Sequence, residues 1–308
     1  MKIAVPDMIS NSYFPAEAAV ELGFFREQGL DVALELIFPV DKAYAALRAG
    51  AVDFVAGSAH SALAAFPRFD GVKLLCAQAQ GMYWFLVLHK DFGARRGDLA
   101  AVKGRRIGAA PWVDMGLRRL LLAAGIDPIH HDVQIAPVPG AQGAGVNFGL
   151  TAARALEERK IDGFWANGMA AEIAETRGVG TVVLDVRRGD GPKEAFNYTM
   201  ASVAATDRLI AEKPEVAAAA VRAIVKTQSA LKRDVSLAGQ VGRALFPENE
   251  AGLIAELIRR DLPYYDAAIT PAFVTGMDQF ARDMGLLDRP LRYEQAVATQ
   301  FAPLWKPA

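Results

Sequence analysis

The sequence predicts an α/β protein of two lobes, joined by a two-strand hinge, with a cleft between them. Three observations carry this expectation. Through residues 1–89, short apolar runs alternate with helix-period segments, the pattern of βα units around a mostly parallel sheet. After a polar, glycine-punctuated stretch at 90–97 (KDFGARRG) the same rhythm restarts, and it runs to a second polar stretch at 187–193 (RRGDGPK). From Asp207 onward the pattern is mainly helical. The simplest division gives one lobe residues 1–89 plus 196–308 and inserts the second lobe as 90–195. Two chain crossings between lobes make a hinge, and a hinge makes a cleft that closes.

The elements follow in order. Lys2–Pro6 reads as the first strand. Pro15 opens a helix running to about Gln28, since proline suits a first helical turn and Gly29 suits a left-handed stop. Val32–Phe38 alternates Val32, Leu34 and Leu36 as a strand does. Lys42–Ala49 is a helix ended by Gly50, and Asp53–Ala56 a strand followed by a helix. Val72–Ala79 and Trp84–His89 are strands. In the second lobe, strands are expected at Arg106–Ala109, Val133–Pro137, Gly163–Trp165 and Thr181–Asp185. Helices are expected there at Asp114–Ala124, Leu150–Arg159 and Met169–Thr176. Phe196–Ala205 is the returning strand. Pro214 opens a long Ala- and Val-rich helix to about Arg233, and Glu250–Arg260 and Ala272–Met284 are helices. The apolar side chains of 300–305 dock back on a lobe.

Composition narrows the function classes. The 308 residues are 52% hydrophobic and 22% charged, with a net charge of −1. That length suits two ordinary domains, and the charge supplies no field for nucleic acid or an anionic membrane. No stretch reaches the ~20 apolar residues of a membrane span. The single cysteine, Cys76, lies in an apolar run and is expected to be a buried small hydrophobe. The first residues enter a strand with no apolar leader segment, so the sequence leaves open a cytoplasmic chain or a removed signal peptide. There is no HExxH, cysteine pair or GxSxG elbow, and no metal or cofactor is expected. His130-His131-Asp132 reads as a solvated loop. The glycine-rich 139–149 fails the G-x-G-x-x-G pattern, with Phe148 at its third glycine. It reads as a mobile loop lining the cleft.

Three segments resemble a known family. Ser12-Tyr13-Phe14-Pro15 followed by Ala18–Val32 (AAVELGFFREQGLDV) resembles the opening of the NMT1/THI5-like solute-binding proteins, which include nitrate, sulfonate and taurine receptors of ABC importers. Ala45–Phe54 (AALRAGAVDF) and Leu156–Gly163 (LEERKIDG) are similar to that family's step into a strand, once per lobe. The resemblance implies a type II periplasmic-binding-protein fold. It also implies capture of a small organic solute, such as a sulfonate, carboxylate, aromatic or pyrimidine-like molecule. A membrane permease as partner, a monomer and a periplasmic location go with it. Some proteins of this fold are enzymes, among them pyrimidine-precursor synthases and a desulfinase, so a cytoplasmic enzyme is the alternative.

Ligands of open α/β sheets bind outside the carboxyl ends of strands, which selects the candidate residues. Asn11, Ser12 and Tyr13 follow the first strand and offer an amide, a hydroxyl and a ring, or else a helix cap. Ser58, Ala59 and His60 open a helix after the third strand, where backbone N–H groups bind anions. Gln80, Tyr83 and Trp84 join two strands at the cleft edge. In the second lobe Asp114 is expected to cap a helix, leaving Trp112, Met115 and Gly116 facing the cleft. Asn147, Trp165, Asn167 and Tyr198 complete the set. Aromatic and amide groups outnumber charges here, and no arginine stands out as a clamp. Stacking by Trp112 and Trp165 is expected to contribute on the order of 1–3 kcal/mol each.

Overall fold

The computed structural model describes residues 1–143 and 145–306. Its strands are β1 (Lys2–Val5), β2 (Ala33–Leu36), β3 (Phe54–Ser58), β4 (Val72–Ala79), β5 (Phe85–His89), β6 (Arg106–Ala109), β7 (Gln134–Ala136), β8 (Gly163–Ala166), β9 (Gly180–Asp185) and β10 (Ala201–Thr206). They form two five-stranded sheets, ordered β2-β1-β3-β10-β4 and β7-β6-β8-β5-β9. In the first, β1 runs parallel to β2 and β3, while β10 is antiparallel to β3 and β4. In the second, β6 runs parallel to β7 and β8, while β5 is antiparallel to β8 and β9. The two sheets therefore repeat one plan, and in each the fourth position is filled by the strand that arrives from the other lobe.

That exchange corrects the expected division. β5, placed in the first lobe by the sequence, pairs with β8 and β9 in the second sheet. The first crossing is 80–84, not the polar run 90–97, and the return spans 186–200. The two crossings touch: the Met82 amide donates to the Phe196 carbonyl at 3.0 Å. Gly81 sits at φ +74°, and a Cβ there would fall 2.4 Å from the Phe196 ring. Only glycine fits both the left-handed backbone and that approach.

The helices are α1 (Phe14–Glu21), α2 (Phe24–Glu27), α3 (Val40–Arg48), α4 (Asp114–Ala123), α5 (Phe148–Glu157), α6 (Gly168–Thr176), α7 (Asp207–Glu212), α8 (Pro214–Arg233), α9 (Ser236–Leu245), α10 (Glu248–Asp261), α11 (Pro271–Asp283) and α12 (Tyr293–Ala296). The single helix expected over 15–28 is broken into α1 and α2, because Gly23 takes φ +78°. The helix expected after the third strand is a 3-10 turn, Ala59–Ala64. The returning strand starts later than expected, at Ala201, because Lys193–Asn197 is another 3-10 turn. α9 has no clear start signal in the sequence and was not expected. α8 buries its alanine run, Ala217–Ala220, together with Val221, Ile224 and Leu231. Small side chains let this long helix lie close against α1, α2 and β4. The tail docks as its apolar residues predict, with the Trp305 indole N–H donating to the Leu75 carbonyl at 2.9 Å. No described helix is long and apolar enough to cross a membrane.

One core group is out of keeping with its surroundings. Glu17, on the buried face of α1, has no solvent exposure and neither carboxyl oxygen has a partner. Burial holds it neutral, well above the usual carboxylate range. A carboxyl whose folded pKa lies above its unfolded value binds more protons when folded. Its ionisation therefore costs stability as pH rises past about 4.5, at about 1.4 kcal/mol per pH unit, until the folded pKa is reached. Glu17→Gln is expected to remove this share. Urea midpoints at pH 5 and pH 7 should show the variant gaining stability on wild type between the two. An unchanged difference would mean that Glu17 is solvated or paired.

Candidate functional site

Four parallel strands, two from each sheet, point their carboxyl ends at one place. Pro6 and Asp7 follow β1, and Phe38 and Val40 follow β2. Ala110 and Pro111 follow β6, and Asn167 follows β8. Together they wall a small, tightly closed cavity, completed by Ser12, Tyr13, Trp84 and Phe148. Its mouth opens on a wider apolar vestibule that shares Phe38 and Pro111. There Pro39 and Lys42 face Pro137, Ala141 and Gln142 across the cleft. Of the glycine-rich segment, Ala141, Gln142 and Gly143 line this vestibule, whereas Pro139, Gly140, Gly145, Val146 and Asn147 border a separate groove beside α5; Ala144 lies outside the described residues.

The lobes meet through a small set of polar contacts. Asp7 Oδ2 accepts from the Gly149 amide at 3.2 Å and from Asn167 Nδ2 at 2.6 Å. Asn167 caps α6 by accepting from the Ala170 amide at 2.9 Å, which fixes its amide orientation and turns its NH₂ to Asp7. Asn11 Oδ1 accepts from the Met169 amide at 3.2 Å, and its NH₂ donates to Asp261 at 2.8 Å. Arg260 of α10 pairs with Glu172 of α6. His60 Nε2 lies 3.0 Å from the Trp112 carbonyl.

Asp7 is the residue that the sequence reading missed. It is buried, and burial pushes its pKa up to about 7 against the opposing hydrogen bonds from Gly149 and Asn167. Its Oδ1 has no partner. The signal for it was available: a charged residue two positions past the end of the first strand, among apolar and small neighbours. Phe38 and Phe148 were missed as well. Their rings stand nearly parallel, 5.8 Å apart at 21°, one from each lobe.

Of the expected residues, the cavity gathers Ser12, Tyr13, Trp84 and Asn167. Tyr83 is one step behind, its hydroxyl 3.0 Å from that of Tyr13. Asn11 bridges the lobes beside the cavity. The others lie elsewhere. The Ala59 amide donates to the Met200 carbonyl, and the Ser58 hydroxyl lies 2.6 Å from that of Ser61, so this turn presents no free amide nest. His60 is enclosed by Trp84, Trp112 and Phe280, and burial lowers its pKa to about 4. Gln80 straps the chain to the carbonyls of Asp266 and Ala268.

In the second lobe Asp114 is the first helical residue, not the cap, and pairs with Arg118 at 2.8 Å. The Gly116 amide donates to Val113, while a Cβ at Gly116 would press on Met82 and Trp84; Met115 beside it is half-buried. Trp112 contributes its carbonyl to His60. Trp165 is fully buried, packs edge-on against Trp84 and donates to the Val113 carbonyl at 3.2 Å. Asn147 lines a separate groove on α5. Tyr198 stacks on Phe280 at 4.8 Å. The stacking wall is therefore Trp84 with Phe38 and Phe148, and Trp165 supports it from behind. Cys76 is buried in β4, and burial raises its thiol pKa. Among the described residues no cluster of His, Cys, Asp and Glu has the makings of a metal site.

Comparison with known proteins agrees with this geometry. A family model described as "NMT1/THI5 like" matches residues 11–234. A riboflavin-binding protein, RibY, of Chloroflexus aurantiacus is 25% identical over 171 residues, which are 51% of this chain and 46% of that protein. The match thus spans less than half of that relative's length. A periplasmic sulfonate-binding protein, SsuA, of a sulfonate ABC transporter from Methylobacillus flagellatus KT shares the fold with a TM-score of 0.68. It is 18% identical, over 100% of this chain and 97% of that one. The desulfurization enzyme DszB also shares it, with a TM-score of 0.63 and 15% identity, over 98% of this chain and 97% of that one.

Proposed function

Because the chain belongs to the NMT1/THI5-like family, we propose that it is the solute-binding component of an ABC importer, closing its two lobes on a small organic molecule. The observation that carries this reading is the cavity at the carboxyl ends of β1, β2, β6 and β8, walled by both lobes. Its lobes are 1–79 with 201–306 and 85–185, and its hinge is 80–84 with 186–200. Asp7 with Gly149 and Asn167, Asn11–Met169, His60–Trp112, Arg260–Glu172 and Arg119–Asp283 are among the contacts of the closed form. Its partner is a membrane permease, its location the periplasm, and it acts as a monomer, as such receptors do.

An enzyme on this fold needs a nucleophile or a proton-transfer pair at the bound molecule. The ionisable side chains walling this cavity are Asp7 and Tyr13, and the Tyr13 hydroxyl is engaged by Tyr83. The cysteine is inside a sheet. Binding without turnover is the reading these groups support.

A thermal-shift screen of small organic solutes, with mass spectrometry of whatever is bound, tests it. A receptor is stabilised in step with the logarithm of solute concentration, by about 2.7 kcal/mol at a hundredfold excess over Kd, and the solute is recovered unchanged. Turnover of that solute by the purified protein would sink the proposal. Phe38→Ala is expected to weaken binding by about 1–3 kcal/mol through lost stacking, measured by calorimetry. Equal affinity in the variant would remove Phe38 from the site.

A further inference from the structure

We propose that Asp7 anchors the solute through Oδ1, and that the solute is a planar molecule presenting a cationic, N–H-donating edge, such as an amidine or an amino-substituted nitrogen heterocycle. This rests on the receptor reading above and narrows it to one ligand class.

The two oxygens of Asp7 have different surroundings. Oδ2 is occupied by Gly149 and Asn167, both from the second lobe. Oδ1 is buried with no hydrogen-bond partner of good geometry, although the Ile9 backbone amide also favours the ionised carboxyl, and the side chain lines the cavity. A buried acceptor without a donor is costly, and a solute N–H would satisfy it. The Ser12 hydroxyl, also on the cavity wall, is likewise unpartnered. No arginine, lysine or histidine lines this cavity. The basic group along the path is Lys42, out in the vestibule. An anion placed in the inner cavity would therefore face a carboxyl group with no counter-charge, whereas a cation would be paired.

The remaining walls select flatness. Phe38 and Phe148 are near-parallel plates from opposite lobes, and Trp84 adds a third aromatic surface. Two stacking gaps of about 3.5 Å need about 7 Å between the plates, so the lobes must part at Phe38 and Phe148 to admit one ring between them. Such a ring would put its edge substituents toward Asp7 and any tail into the vestibule.

The groups packed around Asp7 sharpen the expectation for pH. Tyr13 and Glu17 come from the end and the face of α1, Gly149 from α5 and Asn167 from α6. None of them is cationic, and Glu17 is held neutral. A cationic solute is then the only positive partner, and it binds the ionised carboxylate. Protonating Asp7, with its pKa near 7, competes with that solute.

The test is calorimetry on the full chain with benzamidine and 4-aminopyridine, against benzoate and benzenesulfonate. The cations are expected to bind, and the anions to bind at least tenfold more weakly. In Asp7→Asn the carbonyl oxygen can keep both bonds from the second lobe while the NH₂ turns into the cavity. Affinity for benzamidine should fall at least thirtyfold with the melting temperature retained. Because a substitution can disturb folding, wild-type protein supplies a second measurement: benzamidine affinity should drop at least tenfold from pH 7.5 to 5.5. Benzamidine binding that ignores both Asp7→Asn and pH overturns the anchor. Anions binding as tightly as the cations overturns the ligand class and leaves the receptor reading standing. If neither class binds, this inference falls and the solute screen alone decides the receptor reading; a bound compound that is consumed overturns both.

Discussion

Trp165→Ala is expected to destabilise the protein by about 3–5 kcal/mol, the range for removing a large aromatic side chain from a packed core. Trp165 is the third of the four residues of β8 and has no solvent exposure. It packs edge-on against Trp84 with ring centres 6.2 Å apart. Its indole N–H donates to the Val113 carbonyl, so truncation also leaves that acceptor without its donor. The measurement is the urea midpoint, with the slope checked for two-state behaviour. A loss below about 1 kcal/mol would mean that the surroundings collapse into the space or that water fills it. Because Trp84 stands between Trp165 and the cavity, solute affinity of the folded variant should change far less than its stability. A large affinity loss at unchanged stability would instead put Trp165 in contact with solute.

Gly168→Val is expected to weaken solute binding by about a thousandfold, about 4 kcal/mol, with little effect on the melting temperature without solute. Gly168 opens α6, and a Cβ built there would fall 2.8 Å from Asn11 Nδ2 and 2.9 Å from its Oδ1. Asn11 cannot step aside freely. It is buried and holds both the Met169 amide of the second lobe and Asp261 of α10. Valine would break these bonds and act as a wedge between lobes. Each lobe's own sheet and core would be untouched. Calorimetry gives the affinity, and small-angle scattering should show the variant staying open when solute is added. Full affinity with normal compaction would show that the Asn11–α6 contact is no part of the closed, solute-bound form.

Much of the fold was legible in the sequence. β4 and β6 have the bounds that their apolar runs define, and α8 runs from its N-terminal proline to the end of its apolar pattern. These are properties of period and local propensity, which a chain carries in itself. Asp7 was less legible. A charged residue just past a strand looks like any solvated loop residue until the neighbouring lobe covers it. Its raised pKa, its orphaned oxygen and its bond to Asn167 arise from contacts between residues 160 positions apart. Trp165 misled in the opposite direction. A tryptophan at a strand's end reads as a stacking surface, but its ring turns into the core and Trp84 takes the cavity.

By itself the sequence determined the alternation of strands and helices, the two-lobed plan and the family. All of these depend on short-range order along the chain. Only the tertiary structure decided that β5 crosses into the second sheet, that the chain passes between the lobes at 80–84 and 186–200, and that the Ala59 amide after β3 is taken by the Met200 carbonyl. It also decided which side chains share one cavity. Strand pairing and lobe contact join residues far apart in sequence, and the environment they create, not residue identity, sets which carboxyl is left with an open acceptor.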